Sequence, residues 1–283
     1  MDFEAHRLWK QFEDEIIYKN RFFPQTEEML EKIKSTFPKI ERYVDCGEVW
    51  FRAREFETSD EQYASFIYNA DNCCRASEKK HFEKHYAKII KQKEETCEWG
   101  YQQCESGIPP RDKAGLNRAS PKYIPYLYLA NTINTALAEV RASLHRPFSV
   151  AKYVVTKKLK IIDFSLRDEV ILEPNGFNEE EETIIYMNVS GAFHNPSQAN
   201  EKDYLVSQYI AEYIKMLGYD GIKFNSSQKI GGRNLTLFED TACRFFCSEI
   251  HEVTEIKINS MQILPMVDDK FDKGEQELRF VSL

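Results

Sequence analysis

The sequence predicts an α+β fold, and three features predict it. Helix-prone segments come first, over residues 1–43 and 60–104. Short β-prone runs follow, at 46–56, 126–129 and in several later stretches. Strands and helices do not alternate as they would in a wound parallel sheet, so a mixed sheet of largely antiparallel character is expected. With 283 residues, 42% of them hydrophobic and 13% aromatic, the chain has ample material for a core.

The elements follow in order. Trp9, Phe12, Ile16 and Ile17 form one apolar stripe, and Met29, Leu30, Ile33 and Phe37 form a second, with FFPQ as the break between them. CGEVWFRAREF, 46–56, reads as a strand after Gly47. Residues 60–104 carry no Pro and no Gly before Gly100 and read as helical. GIPPRDKAGLNRASPKY is punctuated as a loop. YLYL, 126–129, is β-prone; Thr132 then caps a helix whose apolar positions are Ile133, Ala136, Leu137, Val140 and Leu144. VAKYVVTKKLKIIDFS supplies one or two strands, and EPNGFNEEEET an acidic loop. YLVSQYIAEYIKMLGYDGIKFNSS reads as a helix closed near Gly218 and a short strand. RNLTLFE adds a strand, HEVTEIKINSMQIL closes the sheet, and DDKFDKGEQE is a charged tail. The expected organisation is a helical region over 1–45, a core domain over 46–265 with a helical insertion at about 60–104, and a tail over 266–283.

A net charge of −8 argues against a general nucleic-acid binder and leaves room for a local basic pocket. No apolar run approaches the length of a bilayer span, and MDFEAHRLWKQFEDE does not read as a signal peptide, so no membrane partner and a cytoplasmic location are expected. Seven cysteines, an odd number, are read as thiols. His81 and His85 lie one helical turn apart near Cys97 and Cys104, but neither a C-x-x-C pair nor the E-x-x-H order of a zinc protease helix is present. No metal site is expected.

Glu139 stands out. On the helix after YLYL it lies about 120° from the centre of the apolar stripe, flanked by Thr132, Thr135, Ala136 and Ser143. A carboxylate among small side chains leaves space for an approaching group. The alternative is a solvated Glu beside Arg141 and His145.

Four separated pieces carry the chemistry: FRAR with Arg52 and Arg54, LNRAS with Arg118, LYLANTINTALAEVR with Tyr128 and Glu139, and GYDGIKFNSSQKIGGRNLTLF with Ser226, Ser227 and Asn234. Together they resemble the RES family, named for an arginine, a glutamate and a serine. The family pattern runs from an Arg-containing first strand to G-R-x-(N/S), then L-Y-x-A with T-A-x-x-E, then Q-x-x-A-E, G-x-D-G-(I/V)-x-(Y/F)-x-S-S and N-x-x-L-F. This chain supplies FRAR, NRAS, LYLANTINTALAE, SQYIAEYIKMLGYDGIKFNSS and NLTLF, over about residues 46–240. Arg118 precedes Tyr128 by ten residues, and Tyr128 precedes Glu139 by eleven.

The resemblance implies an NAD-degrading enzyme, by hydrolysis or phosphorolysis, with a fold similar to bacterial ADP-ribosyltransferases. It implies NAD as substrate, no cofactor, inorganic phosphate as the co-substrate that competes with water, a toxin or antiphage role, and an antitoxin or regulatory partner. A homodimer through the helical regions is a further expectation. By this register Glu139, Arg118 and Tyr128 are the catalytic set, and Arg52, Ser226, Ser227, Gln208 and Asn234 bind substrate. Arg54 competes with Arg52. Two departures stand out: Asn117 replaces the family's Gly, and the segment between Arg52 and Arg118 is longer than in compact members. An ADP-ribosyltransferase acting on a macromolecule, and a non-catalytic helical interaction protein, stay open as alternatives.

Overall fold

The computed structural model describes residues 3–56, 99–166, 180–194 and 201–256, together with 91, 94–96 and 177. Eight strands form one mixed sheet: β1 (Glu41–Val44), β2 (Val49–Glu55), β3 (Leu127–Ala130), β4 (Pro147–Val155), β5 (Leu159–Asp163), β6 (Gly221–Asn225), β7 (Arg233–Leu237) and β8 (Cys243–Glu252). Their spatial order is β1-β5-β6-β7-β3-β2-β4-β8. Only the β5–β6 pair is parallel. The α+β class and the mixed sheet are therefore as the pattern predicts.

One face of the sheet carries helices. These are α1 (Phe3–Asp14), which runs on into a π-helical turn, α2 (Glu27–Ile40), α4 (Glu180–His194) and α5 (Leu205–Met216). The stripe Trp9, Phe12 and Ile16 is buried there, in one cluster with Ile33, Phe37, Ile185, Ile210, Ile222 and Phe224. The N-terminal helices thus cover the same core as the strands that follow. On the opposite face Val44, Trp50, Leu127, Tyr153, Leu159 and Leu235 cluster with Ala242 of a single 3-10 turn, Asp240–Ala242. These residues span strands from one end of the sheet nearly to the other.

Alternation explains this two-sided burial. Ile161 and Leu235 face one core while Ile162 and Phe224 face the other, because successive side chains of a strand point to opposite faces. Gly218 follows α5 at φ +86°, where a Cβ is disfavoured, and the chain turns directly into β6.

Several boundaries differ from the sequence reading. Residues 41–43, expected as the end of a helix, begin β1: Pro38 removes an N–H donor in the last turn of α2, and Glu41 is already extended and paired with Ile162. The acidic stretch 173–183, expected as a loop, contains the start of α4, with Glu180, Glu181 and Glu182 in the first turn, where the helix dipole favours carboxylates. The 150–165 segment resolves into two strands split at Thr156–Lys158. The closing strand is Cys243–Glu252, so HEVTEIKINSMQIL contributes only its first residues. Most of the expected 60–104 insertion and the tail lie outside the described residues. Among described residues, no helix is long and apolar enough to cross a membrane.

Candidate active site

The site begins with a short helix. α3 (Ile133–Glu139) starts at Thr132, whose hydroxyl accepts the Thr135 N–H at 3.1 Å. Ala136, Ile133 and Leu137 pack on Ala53, Ala130 and Val150 of the sheet. The helix ends at Glu139, earlier than the apolar spacing suggested, so Val140 and Leu144 are exposed. Arg141 N–H bonds Ala138 O and Ala142 N–H bonds Leu137 O, which closes the helix with Arg141 at φ 51°. Glu139 is thereby held at the C-terminal end of a helix that is pinned to three strands.

Two partners fix its carboxylate. Ser226 Oγ donates to Glu139 Oε1 at 2.5 Å, and Asn234 Nδ2 donates to the same oxygen at 2.8 Å. Ser226 opens the turn after β6 and Asn234 lies on β7, so the clamp exists only because β6 and β7 pair, with Phe224 opposite Asn234. Oε2 has no protein partner among the described residues. Gly232 keeps this turn close to α3: a Cβ there would come within 2.8 Å of Thr135 Cγ2.

Arg52 enters from β2. That strand meets β3 through one registered pair, Phe51 with Ala130, while it pairs with β4 along its whole length. Where β2 and β3 part, Arg52 Nη1 donates to the Tyr128 carbonyl at 3.2 Å. Burial pulls the Arg52 guanidinium below its ordinary pKa, opposed mainly by Tyr153. Its buried Nε has no partner among the described residues. Arg54 points elsewhere: it donates to Glu105 O and lies over the Tyr101 ring at 5.3 Å.

Arg118 sits on a loop tied down from three sides. Ser207 Oγ donates to Arg118 O at 2.6 Å, Gln208 Nε2 donates to Asn117 O and Ser120 O at 2.7 and 3.2 Å, and Tyr128 Oη receives the Ala119 N–H at 3.0 Å. The Arg118 side chain then reaches Ser227 Oγ at 3.3 Å and lies over the Tyr204 ring at 5.9 Å. Burial lowers its pKa too, while Tyr204 and Glu139 oppose that shift. Asn117, where the family has Gly, does not have a positive φ, so this departure carries no left-handed strain.

These pieces surround one cavity of about 300 Å3, lined by Arg52, Arg118, Tyr128, Glu139, Ser227 and Asn234, with Asn117, Arg141, Tyr204 and Gln228 besides. Gln208 and Ser226 do not line it; each holds a residue that does. Tyr128 lines the cavity, but its hydroxyl is committed to Ala119 and Ser120. Burial pushes the Tyr128 phenol up to about 12, so it is a neutral group at physiological pH. Tyr204, Gln228 and Arg141 were not singled out from sequence, and no local motif marks them. A second cavity, of about 590 Å3, lies elsewhere, between residues 102–108 and 240–245 and Tyr153. No group of metal-ligating side chains occurs among the described residues, and His81, His85 and Cys97 lie outside them. Cys46, Cys104, Cys243 and Cys247 form no disulfide among the described residues.

The arrangement suits a cationic centre flanked by anions: one oriented carboxylate with a free oxygen, and two forked cations in the same cleft. The RES domain family model matches residues 95–258, more than half of the chain. Arg52 precedes that span, and the sheet brings it to the cavity. The crystal structure of the M. tuberculosis MbcT–MbcA toxin–antitoxin complex is similar at 10% identity and a TM-score of 0.38, over 81% of this chain and 93% of that one. No curated protein matches the sequence.

Proposed function

Because the chain belongs to the RES family, we propose that it breaks the bond between nicotinamide and ribose in NAD. The observation that carries this reading is the Glu139 carboxylate, fixed by Ser226 and Asn234 in a cavity that also holds Arg52 and Arg118.

The chemistry follows from charge. The pyridinium nitrogen takes the electron pair of the C1–N bond and leaves as neutral nicotinamide, so no general acid is needed. Positive charge then develops on ribose C1 and its ring oxygen. Glu139, with one oxygen clamped and the other free, stabilises that charge at the open face of the sugar. Its hydrogen-bond donors pre-orient it, so little reorganisation is needed as the charge forms. Arg52 and Arg118 seat the diphosphate with forked, permanently charged donors. Tyr204 and the Tyr128 ring supply aromatic walls for the nicotinamide or the ribose. Water adding at C1 gives ADP-ribose and releases one proton; phosphate adding there gives a phosphorylated ADP-ribose.

The same reading makes the chain a toxin whose activity a partner protein restrains. The test has two arms. Purified protein should release nicotinamide from NAD, and cells expressing it should lose NAD and stop growing, while Glu139→Gln should do neither. Protein that leaves NAD intact, or a Glu139→Gln chain as active as its parent, overturns the proposal.

A further inference from the structure

We propose that the second cavity, on the sheet face opposite the long helices, binds a planar nitrogen heterocycle that carries N–H donors and no phosphate. Its walls are held by the chain's own bonds. Residues 102–108 form one of them. Gln102 N–H donates to Glu105 Oε2 at 3.0 Å, Ser106 Oγ to Tyr101 O at 3.2 Å, and Tyr101 N–H to Ser149 Oγ of β4 at 2.8 Å. Arg54 of β2 donates to Glu105 O, so this arginine, which does not line the catalytic cleft, helps to frame the second cavity. Another wall is the 3-10 turn Asp240–Ala242, tied down by Thr156 Oγ1, which donates to Ala242 O at 3.0 Å. Tyr153 and Phe245 also line the cavity, with ring centroids 5.9 Å apart and planes at 81°.

The lining decides the class of ligand. Among the described residues it holds no Lys, Arg or His. Its one carboxylate, Asp240, makes no hydrogen bond or ion pair among them. A diphosphate would be repelled there, whereas a neutral ligand with N–H groups meets a ready acceptor. Tyr153 is 4% exposed, and its hydroxyl has no partner among the described residues. A buried polar group left without a partner is costly, and such groups are rare. A Cβ on Gly107, which also lines the cavity, would come to 4.0 Å from that hydroxyl. Burial pushes the Tyr153 phenol up to about 12; Arg52 opposes that shift, and Asp240 and Cys243 add to it. The hydroxyl thus keeps its proton at neutral pH and is available as a donor.

A flat ring can pack against the two aromatic side chains, accept from Tyr153 and donate to Asp240. Nicotinamide and adenosine both have this chemistry, and about 590 Å3 accommodates either. Tyr153 and Arg52 are diagonal neighbours across the β2–β4 pairing, so the two cavities back onto one strand pair.

Cys104 makes the site testable, because it lines the cavity and is exposed. Cys46 is exposed outside the lining and serves as the reference. Burial pushes the Cys243 thiol up to about 11, so it reacts slowly and does not compete as a reporter. The experiment is alkylation of the full chain by iodoacetamide, read at each cysteine by peptide mass, with nicotinamide, adenosine or ADP-ribose present at up to millimolar concentration. Parent, Tyr153→Phe and Asp240→Asn are compared. Tyr153→Phe removes a hydroxyl that has no partner among the described residues, so it should fold as the parent does. Nicotinamide or adenosine should slow Cys104 alkylation saturably and leave Cys46 unchanged; which of them does so identifies the source of the ring. Each substitution should raise the half-protecting concentration about fivefold, the effect of one lost hydrogen bond. The proposal is overturned if neither compound protects Cys104, if ADP-ribose protects it equally, or if both variants keep the parental half-protecting concentration.

Discussion

Ser226 donates its hydroxyl proton to Glu139 while the same oxygen accepts the N–H groups of Gln228 and Lys229, each at 3.1 Å. One buried hydroxyl therefore builds the turn after β6 and orients the carboxylate on α3. Turn residue and site residue are one role here.

Glu139→Gln should fold as the parent does and lose turnover by about a hundredfold to a thousandfold, the usual cost of one pre-organised electrostatic group. The amide oxygen can still accept from Ser226 and Asn234, so the geometry survives while the charge is gone. Nicotinamide release at saturating NAD, with circular dichroism on the same sample, checks both halves.

Ser226→Ala deletes a donor to Glu139 and the acceptor for two N–H groups at a position only 4% exposed. Stranding a buried donor costs about 1–3 kcal/mol, so urea midpoints should fall. Turnover should drop with KM for NAD little changed, since Ser226 does not line the cavity. A large rise in KM at unchanged kcat would place Ser226 against the substrate instead.

Arg52→Lys and Arg118→Lys should each raise KM more than they lower kcat, because lysine keeps the charge and loses the fork. Arg54→Lys is the control: its partners are Glu105 O and the Tyr101 ring, away from the cavity. If Arg54→Lys proved the damaging change, the diphosphate seat would have to move along β2 toward Glu105 and Tyr101.

Alkaline pH should unfold the protein through its buried phenols. Burial raises Tyr128 and Tyr153 to about 12 each, against about 10 in an unfolded chain. A raised folded pKa means stability that is complete below pH 10 and is lost as pH climbs toward 12. Melting temperature should thus be insensitive to these two groups through neutral pH and fall above about pH 10. Absorbance at 295 nm should show a late phase of phenol ionisation that coincides with loss of structure.

Phe12→Ala should cost about 3–5 kcal/mol, since Phe12 is 3% exposed in the cluster shared by α1, α2, α4, α5 and β6. Removing residues 3–40 should yield aggregated protein and not a trimmed active core. Guanidinium melts check the first statement, and size-exclusion chromatography the second. A truncated chain that stays monomeric and melts cooperatively would refute the shared-core account.

The class of fold was legible because the periods of 3.6 and 2 survive in the chain: the Trp9–Phe12–Ile16 stripe and the strand runs VWFRARE and RNLTL are local facts. The residues gathered at the cavity were legible for another reason. Arg118, Tyr128, Glu139 and Ser226 keep characteristic spacings within short motifs, and those spacings reflect which atoms must meet. Boundaries were less legible where one long-range contact outweighed local propensity. β1 forms because β5 lies beside it, and α3 stops at Glu139 because Arg141 turns left-handed. Whether Arg52 or Arg54 faces the cleft was not in the sequence at all, since both occupy the same side of a strand; the parting of β2 from β3 beyond Phe51 and Ala130 decides it. The same holds for Tyr204, Gln228 and Arg141, which reach the cavity only through the packing of elements far apart in the chain. Sequence determined the residue types and their local periodicity, because those depend on neighbours a few positions away. Tertiary structure decided which side chains share one cavity, because that depends on contacts between distant parts of the chain, such as Asn234 holding Glu139, 95 residues away, beside a strand that starts at Val49.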